Sequence, residues 1–165
     1  MPNLINPLKT FLAGADAVAI LGVGSELRAD DYAGMLVAEK LKKLEDRCKT
    51  IRLKVFMGHT APENLTGEIR KFKPTHLIII DTADIGGKPG GTKVFAPDET
   101  SGITFSTHKL PIKVMISFLR QELDCSVVVI GIQPKTLDFG KPVSKEIEQA
   151  TRSIRDEIIK ALNYL

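Results

Sequence analysis

The chain has 165 residues, 43% of them apolar, with a net charge of +3 and two cysteines. That length supports one domain with a substantial core, and no apolar run approaches the roughly 20 residues of a membrane-spanning helix. The positive charges are scattered, which argues against a nucleic-acid partner. Cys48 and Cys125 form no CxxC and imply neither a disulfide framework nor a zinc knuckle, so a cytoplasmic location is the default.

Leu4, Ile5, Leu8, Phe11 and Leu12 recur at helical spacing, which predicts a leading amphipathic helix over 4–13 rather than a signal peptide, because no basic segment opens it. Residues 17–23 read as a short, wholly apolar strand. Gly22 and Gly24 break it, a polar loop Ser25-Glu26-Leu27-Arg28 follows, and Asp30-Asp31 arrives before a new helical period. Ala33, Leu36, Val37, Leu41 and Leu44 carry that helix to about Asp46, with Asp31 as its candidate N-cap. Ile51, Leu53, Val55 and Met57 alternate as in a strand near a sheet edge. Gly58-His59-Thr60-Ala61-Pro62-Glu63 reads as a turn into a short helix, with Thr60 as N-cap and Glu63 completing a capping box.

Residues 76–80 form a second fully apolar strand that ends at Asp81. The Gly/Pro-rich stretch 86–91 then predicts a mobile loop near Asp81, a candidate for closing over a substrate, before a short strand at 93–95. Ser106-Thr107-His108 leads into a helix marked by Leu110, Val114, Met115, Phe118 and Leu119. Residues 126–130 form a third apolar strand, and 144–162 a long closing helix. Apolar strands alternating with helices predict an α/β fold, a single-domain three-layer sandwich over 1–165 with a mainly parallel sheet covered on both faces.

Gly22-Val23-Gly24 is not a dinucleotide-binding fingerprint. The third glycine would fall at Leu27, and the second strand ends in Met57-Gly58-His59 with no acid for a ribose. There is no GxxxxGK[ST] and no GxSxG, and neither cysteine sits beside a motif histidine. What stands out instead is acid at strand ends. Parallel strands send their carboxyl ends to one edge, so the loops carrying Asp31 and Asp81 should be neighbours, and a helix starting at that edge brings His108 to the same rim. Two carboxylates and an imidazole suit a divalent transition metal. His59 and Asp84 also lie near strand ends, and spacing does not exclude them. As solvent-facing groups, Asp31, Asp81 and His108 should each cost under about 1 kcal/mol when truncated. Asp30 should matter much less than Asp31, since its side chain points elsewhere.

GVGSELRADDYAG resembles the signature of the hydrogenase maturation endopeptidases: Gly-x-Gly-Asn, four residues, Asp, then Asp or Glu, two residues and Gly. GHTAPEN, HLIIIDTADIGGKPG, STHKLP and GIQP are similar to the hydrogenase 3 branch of that family. The resemblance covers nearly the whole chain. Ser25 departs from the usual Asn, and the leading helix (1–15) extends beyond the usual start. The resemblance implies a protease that removes the C-terminal extension of a NiFe hydrogenase large-subunit precursor after nickel insertion. It places the metal contacts on Asp31, Asp81 and His108, in preference to His59 and Asp84. It also implies nickel delivered by the precursor, which already holds it through thiolates, and catalysis through the carboxylates of Asp31 and Asp81. A monomer is expected. The rival from another class is a nickel-sensing module that binds the large subunit without cutting it.

Overall fold

The computed structural model describes residues 3–105, 112–163 and 165. Five helices, α1 Ile5–Leu12, α2 Ala33–Lys42, α3 Thr66–Phe72, α4 Ile112–Glu122 and α5 Lys145–Leu162, surround a six-stranded sheet. The strands are β1 Ala17–Gly22, β2 Arg52–Met57, β3 His76–Asp84, β4 Thr92–Phe95, β5 Thr104–Phe105 and β6 Ser126–Ile132. Their order is β2-β1-β3-β6-β4, with β5 paired to β3 beyond the main path. Strands β2, β1, β3 and β6 are parallel, while β4 and β5 are antiparallel to their partners.

The period-2 alternation of the strands sorts the core into two layers. Val18, Ile20, Val55, Ile78, Ile80, Val128 and Ile130 face α1, α2 and α5. Ala19, Leu21, Phe56, Leu77, Ile79, Val127 and Val129 face α3 and α4. The result is the three-layer sandwich that apolar strands buried on both faces require. The edge strand β2 is blunted by side chains, since Glu45 accepts the Val55 amide and Lys42 Nζ donates to the Val55 carbonyl.

The strand order also fixes where a site can form. From β1 the chain steps outward to β2 and then returns to place β3 on the other side of β1. The carboxyl ends of β1 and β3 therefore flank a topological switch point, where the connecting chains diverge and leave a crevice. The loop after β1 carries Asp31, and Asp81 lies near the end of β3.

Several boundaries differ from the sequence reading, each for a tertiary reason. β3 does not stop at Asp81 but runs to Asp84, because β6 pairs with Asp81 and Thr82 and β5 with Ala83 and Asp84. Asp31 is no N-cap, since a 3-10 turn, Ala29–Tyr32, precedes α2. The capping box at Thr60 and Glu63 does not form, because the chain turns at His59, φ +49°, and enters a 3-10 turn at Pro62–Leu65. The glycine-rich loop is pinned rather than loose. Gln133 Oε1 accepts the amides of Ile85 at 2.8 Å and Gly87 at 3.3 Å, and the Gln133 main chain bonds Gly90 and Gly91. The predicted cap at Ser106-Thr107 lies outside the described residues.

Candidate active site

The loop that leaves β1 doubles back on itself. Gly24 has φ +146°, and a Cβ there would lie 1.9 Å from the Asp31 carbonyl oxygen, so only glycine fits. Its amide donates to the His59 carbonyl at 2.8 Å, and the Val23 amide to the Ile80 carbonyl at 3.0 Å. Gly34 opens α2 equally close, since a Cβ there would sit 2.1 Å from the Ile80 carbonyl oxygen. These approaches press the acidic loop against the ends of β2 and β3.

Asp31 is buried, and its Oδ2 accepts the Ser25 amide at 2.9 Å, which closes the loop. Asp81 is also buried, one residue past the last pairing of β3 with β1, and its Oδ1 accepts the Thr82 amide at 2.7 Å. Thr82 links the two. Its hydroxyl donates to the Asp30 carbonyl at 3.1 Å, with the Asp31 carbonyl at 3.4 Å. The predicted convergence of these two loops at one sheet edge is thus present in the main chain. The expectation that both acids face solvent is not met. The loop folds over the strand ends, both residues are buried, and each carboxylate accepts a main-chain amide.

Asp30 corrects the sequence reading more sharply. It is fully buried and collects four donors: the amides of Lys135 at 2.8 Å, Thr136 at 3.1 Å and Ser144 at 2.7 Å, and the Ser144 hydroxyl at 3.0 Å. Ser144 precedes α5, so the carboxylate also sits at the positive end of that helix. Asp30 therefore ties the 135–144 loop and α5 to the acidic loop. No local signal separates the two acids of an Asp-Asp pair, because the donors that claim Asp30 lie more than 100 residues away. Thr82, Ser144 and Gln133 escape a sequence reading for the same reason.

The remaining candidates are placed differently. His59 is exposed, and it serves the loop through its carbonyl. Asp84 is exposed and accepts the Gly86 amide at 3.1 Å. His108 lies among residues 106–111, outside the described residues. Among the described residues, no three His, Cys, Asp or Glu side chains are grouped to hold a metal ion. Tyr32, next to Asp31, stays a neutral phenol, because burial and its hydrogen bond to Glu39 push its hydroxyl up to about 12. At the rim, Leu27 is 56% and Phe139 76% exposed, and the Gly140 amide donates to the Leu27 carbonyl at 2.8 Å, joining their loops. Chemically, carboxylates such as those of Asp31 and Asp81 can take a proton from water or contribute oxygens to a divalent cation.

Residues 35–161 match the family model for hydrogenase maturation protease, HycI. The chain is similar to the hydrogenase 3 maturation protease of Escherichia coli K12, at 32% identity over 136 residues, covering 82% of this chain and 84% of that one. Its fold is similar to the crystal structure of a NiFe hydrogenase maturation protease, HycI, from Thermococcus kodakarensis, with a TM-score of 0.85 and 30% identity over 95% of this chain and 99% of that one. The solution structure of the endopeptidase HycI from Escherichia coli aligns with a TM-score of 0.72 and 32% identity, covering 85% of this chain and 87% of that one. Among the described residues, no helix is long and apolar enough to cross a membrane. On the family-model match, the sequence identity and the shared fold, the chain belongs to the hydrogenase maturation protease family and is an endopeptidase of hydrogenase maturation.

Proposed function

We propose that this protein removes a C-terminal extension from a NiFe hydrogenase large-subunit precursor after nickel insertion, with Asp31 and Asp81 as its catalytic carboxylates. His108, assigned by the family resemblance, is the third metal contact in this reading. The observation that carries the reading is the pairing of the Asp31 loop with the Asp81 strand end at the switch-point crevice of a family endopeptidase. Nickel belongs to the substrate in this reading, since two carboxylates and one imidazole are modest donors beside the thiolates of the precursor. When present it supplies Lewis acidity at the scissile carbonyl or at a water. Asp31 and Asp81 orient the reacting groups, and one of them accepts the proton of the attacking water and returns it to the departing amine. Leu27 and Phe139 offer apolar surface to the precursor segment on either side of the cut. The same reading makes residues 1–165 one peptidase domain, working as a monomer in the cytoplasm.

The test offers one enzyme preparation a nickel-loaded and a nickel-free precursor and reads both by intact mass. The loaded form should lose the mass of its extension, and the nickel-free form should stay whole. Equal cleavage of both refutes the nickel requirement. A bound but uncut loaded precursor refutes the peptidase reading in favour of a nickel-sensing binder. Asp31→Asn and Asp81→Asn should each abolish cleavage at a temperature where the variants remain folded.

A further inference from the structure

We propose that Thr82 is a positioning residue that sets the relative placement of Asp31 and Asp81; this rests on the reading of those two acids as the catalytic pair. Thr82 is fully buried, and its polar atoms are directed at the acids. Its amide holds Asp81 Oδ1 at 2.7 Å, and its hydroxyl holds the Asp30 carbonyl at 3.1 Å with the Asp31 carbonyl at 3.4 Å. The two bonds reach the two elements that must stay in register: the end of β3 and the loop after β1.

The pairing pattern explains why such a link is needed here. β1 and β3 stop pairing at Gly22 and Ile80, one residue before Asp81. Beyond that point the sheet no longer fixes the distance between the loop and the strand. Asp31 is a further seven residues along a loop that starts at a φ +146° glycine and passes Ala29 at φ +48°. The Val23 amide fastens this loop to β3 at its start, and the Thr82 hydroxyl fastens it at its acidic end. A hydroxyl has one proton to donate, and here two adjacent carbonyls share it, so it locates the two peptide units that flank the Asp31 Cα. Displacement of a reacting group by about 1 Å costs on the order of 100-fold in rate, so loss of this bond is read in turnover before it is read in binding.

The experiment compares Thr82→Val, Thr82→Ser and Thr82→Ala with wild type in steady-state cleavage of nickel-loaded precursor, with thermal melting of each variant. Thr82→Val keeps the shape and loses the hydroxyl, and its kcat should fall about 10-fold or more with KM unchanged. Thr82→Ser keeps the hydroxyl and should recover most of that loss. Thr82→Ser and Thr82→Ala differ by the hydroxyl alone, so they carry the test if the valine variant fails to fold. Amide exchange at Ser25, which bonds the Asp31 carboxylate, should quicken in the alanine variant and not in the serine variant. Equal kcat in serine and alanine variants, or wild-type kcat in the valine variant, overturns the proposal. A fall in KM-limited binding alone also overturns it. If wild type leaves the precursor uncut, the peptidase reading fails and this inference fails with it.

Discussion

Replacing Asp30 by Ala tests a structural role for one acid of the Asp-Asp pair, apart from the catalytic role proposed for its neighbour Asp31. The substitution strands four donors, the amides of Lys135, Thr136 and Ser144 and the Ser144 hydroxyl. At the low end, a donor left without its partner costs about 1 kcal/mol, and more when the partner was charged. Four of them give about 4 kcal/mol, before any relief from water entering the space. For a chain of this size each kcal/mol lowers Tm by about 2–4 °C, so Tm should drop by about 10 °C. Asp30→Asn is no remedy. Both oxygens accept hydrogen bonds, so either orientation of the amide turns an NH2 group toward a donor, at a cost of about 2 kcal/mol. The assay is thermal denaturation by circular dichroism, with limited trypsin digestion as a local readout. Lys135 and Lys141 lie in the loop that Asp30 holds, and cleavage there should accelerate in the alanine variant. A Tm within 2 °C of wild type, flagged by about 0.5 kcal/mol of lost stability, together with unchanged trypsin cleavage, would refute the claim that this loop hangs on Asp30.

Other expectations follow from buried groups. Burial holds His76 below its ordinary value near 6.5, so the folded chain resists protonation while the unfolded chain accepts it. The His76 contribution is therefore present above about pH 6.5 and lost as pH falls through the depressed value. Tm should decline on acidification from pH 7.5 to 5.5, and His76→Phe should lessen that decline; an identical decline in both proteins contradicts the assignment. Gly34→Ala places a Cβ 2.1 Å from the Ile80 carbonyl oxygen, and the backbone shift it forces should cost about 1–3 kcal/mol in chemical denaturation. Burial pushes the Cys125 thiol up to about 11, whereas Cys48 is half-buried. Iodoacetamide at neutral pH should therefore label Cys48 first, as peptide mass mapping will show, and preferential labelling of Cys125 would contradict its burial.

The sequence by itself determined the layers and the address of the site. Apolar runs at 17–23, 76–80 and 126–130 are what strands buried on both faces must look like, and they became β1, β3 and β6. Parallel strands interrupted by helices send their carboxyl ends one way, which was enough to bring Asp31 and Asp81 to one edge. The family signature around Gly24 and Asp31 was legible for a local reason too, since the glycine and the acid touch within one loop. What the tertiary structure alone decided is which donors each acid meets. Asp30 and Asp31 are chemically identical neighbours, and a distant group tells them apart: the 135–144 loop claims Asp30, while Asp31 bonds the Ser25 amide within its own loop. The extension of β3 to Asp84 and the pinning of the glycine-rich loop by Gln133 have the same origin as the claim on Asp30. Each depends on hydrogen-bond partners that are remote along the chain, and periodicity records only which face a side chain takes, never which distant donor it meets.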